Sequence, residues 1–195
     1  NQTGYAGYTG TTLPGATAPT NNIRLTASGA VPVVAGYTLN SLNLVAGSNL
    51  TFTSDLTTNG LTLASGGLLH SGASASIGTT TAGQRGALSA TGELFVTNTA
   101  NTLTINSQIF GGATSLVISG GATVTLANQV ANTYGGGTII NGTTVNTTGA
   151  AAVTVFPATG GLTLNNALVT ISTANQIASA ANVVLNGGSS LTYTG

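Results

Sequence analysis

Ala131-Asn132-Thr133-Tyr134-Gly135-Gly136-Gly137-Thr138-Ile139-Ile140-Asn141-Gly142-Thr143-Thr144-Val145 is the stretch that decides the fold. Asn132-Thr133-Tyr134 reads as a turn and is followed by a run of three glycines. Two β-prone pieces come next, Thr138–Ile140 and Thr143–Val145, divided by Asn141-Gly142. This spells strand, tight corner, strand, with no length left for a helix. From Asn22 onward the chain repeats that grammar. Leu42-Asn43-Leu44, Leu61-Thr62-Leu63, Leu103-Thr104-Ile105, Val124-Thr125-Leu126, Val153-Thr154-Val155, Leu162-Thr163-Leu164 and Leu191-Thr192-Tyr193 each place a polar residue, usually Thr, between two apolar ones. Alternation of period two sends the apolar pair to one face and the polar residue to the other.

Several of these pieces start about 21 residues apart, at Leu103, Val124 and Val145, and again at Leu162 and Val183. A repeat of that length without helix signals is one coil of a β-solenoid, which hides its inner face only by stacking on its neighbours. The expected fold is all-β, a right-handed parallel β-helix of roughly nine coils; the handedness follows the general rule for parallel crossovers. A β-sandwich also has turns every few residues, but the three Asn-Gly pairs (59–60, 141–142, 186–187) are fewer than its hairpins require. Residues 1–22 stand apart. They are aperiodic, carry Tyr5, Tyr8, Pro14 and Pro19, and read as an N-terminal arm or linker before a solenoid domain at 23–195.

Composition limits the chemistry. Of 195 residues only Arg24, Asp55, Arg85 and Glu93 carry formal charge, and Cys and Met are absent. A net charge of zero leaves no electrostatic footprint for nucleic acid. No run approaches eighteen apolar residues, so no membrane-spanning helix is expected. Without cysteine there is neither a disulfide framework nor a thiolate metal site. Little like-charge repulsion opposes self-association.

Candidate catalytic residues are few. His70, the one histidine, follows Leu68-Leu69 and reads as a strand-end residue facing solvent. Asp55 and Glu93 are the only carboxylates available as a glycosidase-type pair; the plainer reading is two ion pairs, Arg85 with Glu93 and Arg24 with Asp55. The serines lack a base, and Gly135–Gly137 lacks the lysine and helix of a phosphate loop. No enzyme activity, cofactor or metal is expected. Asn49, Asn141 and Asn146 head N-glycosylation sequons, which arise by chance in a chain so rich in Asn and Thr. The tyrosines are candidates for stacking on sugar rings. Thr-x-Thr units such as Thr51-Phe52-Thr53 and Thr123-Val124-Thr125 raise ice binding, which needs those units in register on one face; their sequence spacing is irregular.

The central stretch also resembles a known family. Ala131-Asn132-Thr133-Tyr134, Gly136-Gly137-Thr138, Ile140-Asn141 and Thr144-Val145 resemble the autotransporter-associated β-strand repeat, also called the passenger-associated transport repeat. Asn128-Gln129-Val130 lengthens the approach to the motif, and Gly142-Thr143 departs from its usual order. The resemblance implies a β-helical passenger displayed outside a Gram-negative-type cell, structural or adhesive, with no shared catalytic residues. Asn132, Thr133, Tyr134, Gly136, Gly137, Thr138 and Asn141 are then structural motif positions. The expected partners are adjacent repeats or copies stacked end to end, and surface glycans.

Overall fold

A computed structural model describes residues 7–55 and 57–195 of the chain. It is a β-solenoid whose pairings are all parallel. One sheet, A, runs through β1 (Ala18–Leu25), β3 (Thr38–Leu44), β5 (Leu61–His70), β8 (Glu93–Asn98), β11 (Ser115–Ser119), β13 (Thr138–Asn141), β15 (Leu162–Asn165) and β17 (Val183–Asn186). The facing sheet, B, stacks β2 (Gly29–Ala30), β4 (Leu50–Thr51), β6 (Ala75–Ile77), β9 (Leu103–Ile105), β12 (Val124–Leu126), β14 (Thr144–Thr147), β16 (Leu168–Ile171) and β18 (Ser190–Tyr193). Each coil supplies one strand to A and the next to B, which gives eight rungs. The roughly nine coils expected correspond to about eight rungs among the described residues, the early coils being the longer ones. His70 and Asn98, neighbours on adjacent rungs, are 28 residues apart, whereas Thr143 and Ala122 on later rungs are 21 apart.

A third, irregular side closes each coil. There β7 (Ala87–Ala90) pairs with the start of β5 and with β10 (Gln108–Ile109). Beyond β10 single bonds continue the side: Thr133 N–H to the Ile109 carbonyl, Asn132 N–H to Thr154, and a bridge between Phe156 and Ile177. The alternating triplet Val153-Thr154-Val155, expected to be a strand, lies on this side and forms none. The N–H groups of Val155 and Phe156 both donate to the Gln176 carbonyl, which bends the chain instead of extending it.

The interior consists of apolar columns in register. In sheet A the column is Leu42, Leu68, Val96, Ile118, Ile140 and Leu164. In sheet B it is Leu103, Val124, Val145 and Val169. All are buried, and each such side chain contributes about 1.5–3 kcal/mol of transfer free energy on leaving water. The core therefore grows by one layer per coil, as the repeat requires.

Two glycines show different uses of the residue along the path. Gly66 has φ +75°, and a Cβ there would land on the Glu93 carbonyl; it bends β5 from its pairing with β7 into its pairing with β8. Gly142 has φ +57° and makes the corner between β13 and β14. β1 begins at Ala18, and Gly10 bridges Ile23 in parallel, so residues 9–11 run along the outer edge of β1.

Candidate functional site

The motif residues form a buried corner. Asn132 is buried, and its Oδ1 accepts the Ile109 N–H at 2.7 Å and the Asn128 carboxamide at 3.1 Å. Its Nδ2 donates to the Val155 carbonyl at 2.8 Å. One carboxamide thus ties three successive coils where no strand ladder does so. Tyr134 is buried, its hydroxyl 2.5 Å from Thr138 Oγ1 and 3.4 Å from the Val155 carbonyl. Burial pushes its phenol far above the ordinary tyrosine range, and the Thr138 hydrogen bond offsets part of that. Gly136 and Gly137 lie against the backbones of Ser115 and Gly160, where a side chain would collide. Thr133 is exposed, though its N–H is held by Ile109. Asn141 points outward and begins a ladder: Asn165 donates to it, and Asn186 donates to Asn165, each at 2.8 Å.

His70 is fully buried, contrary to the expectation of a solvent-facing residue. Its Nε2 lies 2.8 Å from the Ala73 carbonyl, and Nδ1 lies 2.7 Å from Asn98 Oδ1. The Asn98 amide nitrogen donates to the Thr123 and Asn101 carbonyls. Both ring nitrogens thus lie against oxygens inside a buried corner. Nothing in the triplet before His70 signals this; the partner that makes burial tolerable is a coil away.

The ion-pair expectations change partners. Arg85 lies 3.8 Å from Asp55, not beside Glu93. The Asp55 carboxylate also accepts the N–H groups of Gly83 and Arg85 at 2.8 and 2.7 Å, so it anchors the loop over 78–86. Glu93 is exposed at the start of β8, and Arg24 is exposed on β1. Asp55 is thus held by one loop, through two backbone N–H groups and the Arg85 guanidinium. Among the described residues no three metal-ligating side chains converge.

The structure does bring together one concave surface. Gly67 stands in register between Ser41 and Phe95 on the outside of sheet A, and Leu69 between Asn43 and Thr97. The missing side chain at Gly67 leaves a groove of about 340 Å³, walled by Tyr8 and Asn22 at one end and Phe95 and Thr97 at the other. Asn43 donates to the Tyr8 hydroxyl at 2.8 Å, and Ser41 donates to Asn22 Oδ1 at 2.7 Å. Phe95 remains 41% exposed, an unusual position for a phenyl ring. Among the described residues no charged side chain lines the groove. Of the two N-terminal tyrosines, Tyr5 lies outside the described residues. Sequence reading missed this groove because it depends on register between residues about 26 to 28 apart, which the local pattern does not encode. No known protein family, no curated protein and no solved structure matches the chain.

Proposed function

We propose that the chain is a structural, non-enzymatic shaft: a β-helical stalk or filament segment of a protein displayed on the surface of a Gram-negative-type bacterium. The observation that carries this reading is the continuous stack of eight registered rungs around one apolar interior, with the ionisable groups scattered or engaged in holding loops. The display setting rests on the likeness of Ala131–Val145 to the passenger repeat. Among the described residues β17 and β18 end their sheets, and a further rung, from an adjacent repeat or from a second copy, would stack on them.

The test is one of reach. Tandem copies of the chain are placed between a membrane anchor and an epitope on a bacterial surface, and epitope height is measured. Height should rise by about 4.8 Å per rung added. A height independent of copy number refutes the shaft.

The groove between Tyr8 and Phe95 favours a second reading, a module that holds a neutral glycan. A phenyl face beside amide and hydroxyl groups suits a sugar ring. Glycan-array binding by the isolated chain, lost in Phe95→Ala, supports it; an array at background removes it.

A further inference from the structure

The outer face of sheet B carries two files of short polar side chains. Ser76, Thr104, Thr125, Asn146, Thr170 and Thr192 stand in register from β6 to β18, with no register shift between rungs. Two positions earlier, Thr144, Leu168 and Ser190 stand in register on β14, β16 and β18, and Thr102 and Thr123 sit just before β9 and β12, where the ladder reaches them through bonds from the Ala75 and Leu103 N–H groups to their carbonyls. Residues two apart on a strand share a face. The irregular spacing along the sequence therefore resolves, in the fold, into a two-file array on one sheet.

Four features of this array matter together. Its periods are those of the sheet, about 4.8 Å between rungs and about 6.7 Å between files. Fully buried Leu103, Ile105, Val124 and Leu126 back it, so it rests on packed core. Threonine is stiff at χ1, which holds each hydroxyl and methyl in place. Among the described residues no protein group bonds the hydroxyls of Thr104, Thr125 or Thr170, in contrast to the Asn141–Asn165–Asn186 ladder, whose amides bond one another.

We propose that the outer face of sheet B binds ice. The periods are close to those of the oxygen rows on a face of hexagonal ice. A hydroxyl both donates and accepts a hydrogen bond, as each lattice oxygen does, and the methyl beside it limits competing liquid water. Charge complementarity points to the same occupant. Arg24 lies on β1, Glu93 on β8, and Asp55 and Arg85 in loops, so sheet B strands carry no ionised group. A charged polymer or headgroup gains nothing there, whereas a neutral lattice of alternating donors and acceptors does. This inference is independent of the shaft reading, because it concerns one lateral face and not the stacking of rungs.

The experiment uses the 195-residue chain and reads freezing-point hysteresis, crystal habit and partition into slowly growing ice. The chain should enrich in the ice fraction, facet the crystals and open a hysteresis gap. Thr104→Tyr and Thr125→Tyr, each shown by circular dichroism to keep the β-rich fold, should lose all three effects. Val117→Tyr, on the outer face of sheet A, should retain them. Leu168→Thr repairs the break in the second file and should widen the gap. Exclusion of the native chain from ice, as for a control protein that does not bind, overturns the proposal, even if the chain adsorbs to an insoluble polysaccharide. Equal loss in Val117→Tyr and Thr125→Tyr also overturns it.

Discussion

Replacing Asn132 by Ala tests the corner on which the third side depends. The side chain caps two buried backbone groups that no strand partner serves, the Ile109 N–H and the Val155 carbonyl, and it also holds the Asn128 amide. A buried polar group left without a partner costs about 1–3 kcal/mol. The Ile109 N–H is then left bare, while the Val155 carbonyl keeps the longer bond from the Tyr134 hydroxyl, so the loss is about 1–3 kcal/mol. That is a sizeable share of the roughly 5–15 kcal/mol available to a typical domain. Urea titration followed by circular dichroism reads the loss. Because a solenoid can open coil by coil, hydrogen exchange of the Ile109 amide gives a local readout: its protection should fall more than that of the Leu116 amide, which donates to the Gly137 carbonyl. Thr133→Ala, next door but exposed, should change stability by no more than about 0.5 kcal/mol. If the two variants behave alike and Ile109 stays protected, the carboxamide is not the link described.

Three further outcomes are expected. Leu126→Ala should cost about 2–5 kcal/mol in a denaturation series, while Thr125→Ala, facing out from the same strand, stays within about 0.5 kcal/mol; equal costs would reverse the facing of β12. Gly66→Ala should prevent the chain from reaching its native circular dichroism or lower its midpoint far more than Gly142→Ala, since both have positive φ but only Gly66 lies against another backbone. Burial pushes the Tyr37 phenol up to about 12 from 10.0, so its contribution to stability is intact below pH 10 and is lost as pH climbs towards 12, because the unfolded chain releases that proton first. Tyr37→Phe should move the alkaline unfolding midpoint upward while costing about 1 kcal/mol near neutrality for the lost bond to the Pro14 carbonyl; an unmoved midpoint counts against the assignment.

The architecture was legible because alternation is local. Leu103 and Ile105, Val124 and Leu126, and the corner at Asn141-Gly142 each declare face and turn within a few residues, and the structure places them as read. What depends on which coil lies above which was not legible. The triplet Val153-Thr154-Val155 has strand composition, but its neighbours offer a single carbonyl where a ladder needs several. His70 has the sequence setting of a surface residue and becomes interior because Asn98 arrives beneath it. Asp55 finds Arg85 rather than Arg24 because the loop over 78–86 folds back onto it. The groove at Gly67 and the hydroxyl files of sheet B belong to the same class, since both arise from register across coils of unequal length.

The parallel rungs also set how the rod answers a load. Rung-to-rung hydrogen bonds lie along its axis, so tension between the two ends pulls on them lengthwise, one rung at a time, instead of shearing many together. The last rung peels first, and a coil such as that from Leu103 to Val124 then releases roughly 70 Å of slack as its 21 residues extend. The remaining coils keep their own layers of core and stay folded. Such a rod stands up to bending and compression through its packed interior, and under tension it lengthens in steps rather than snapping.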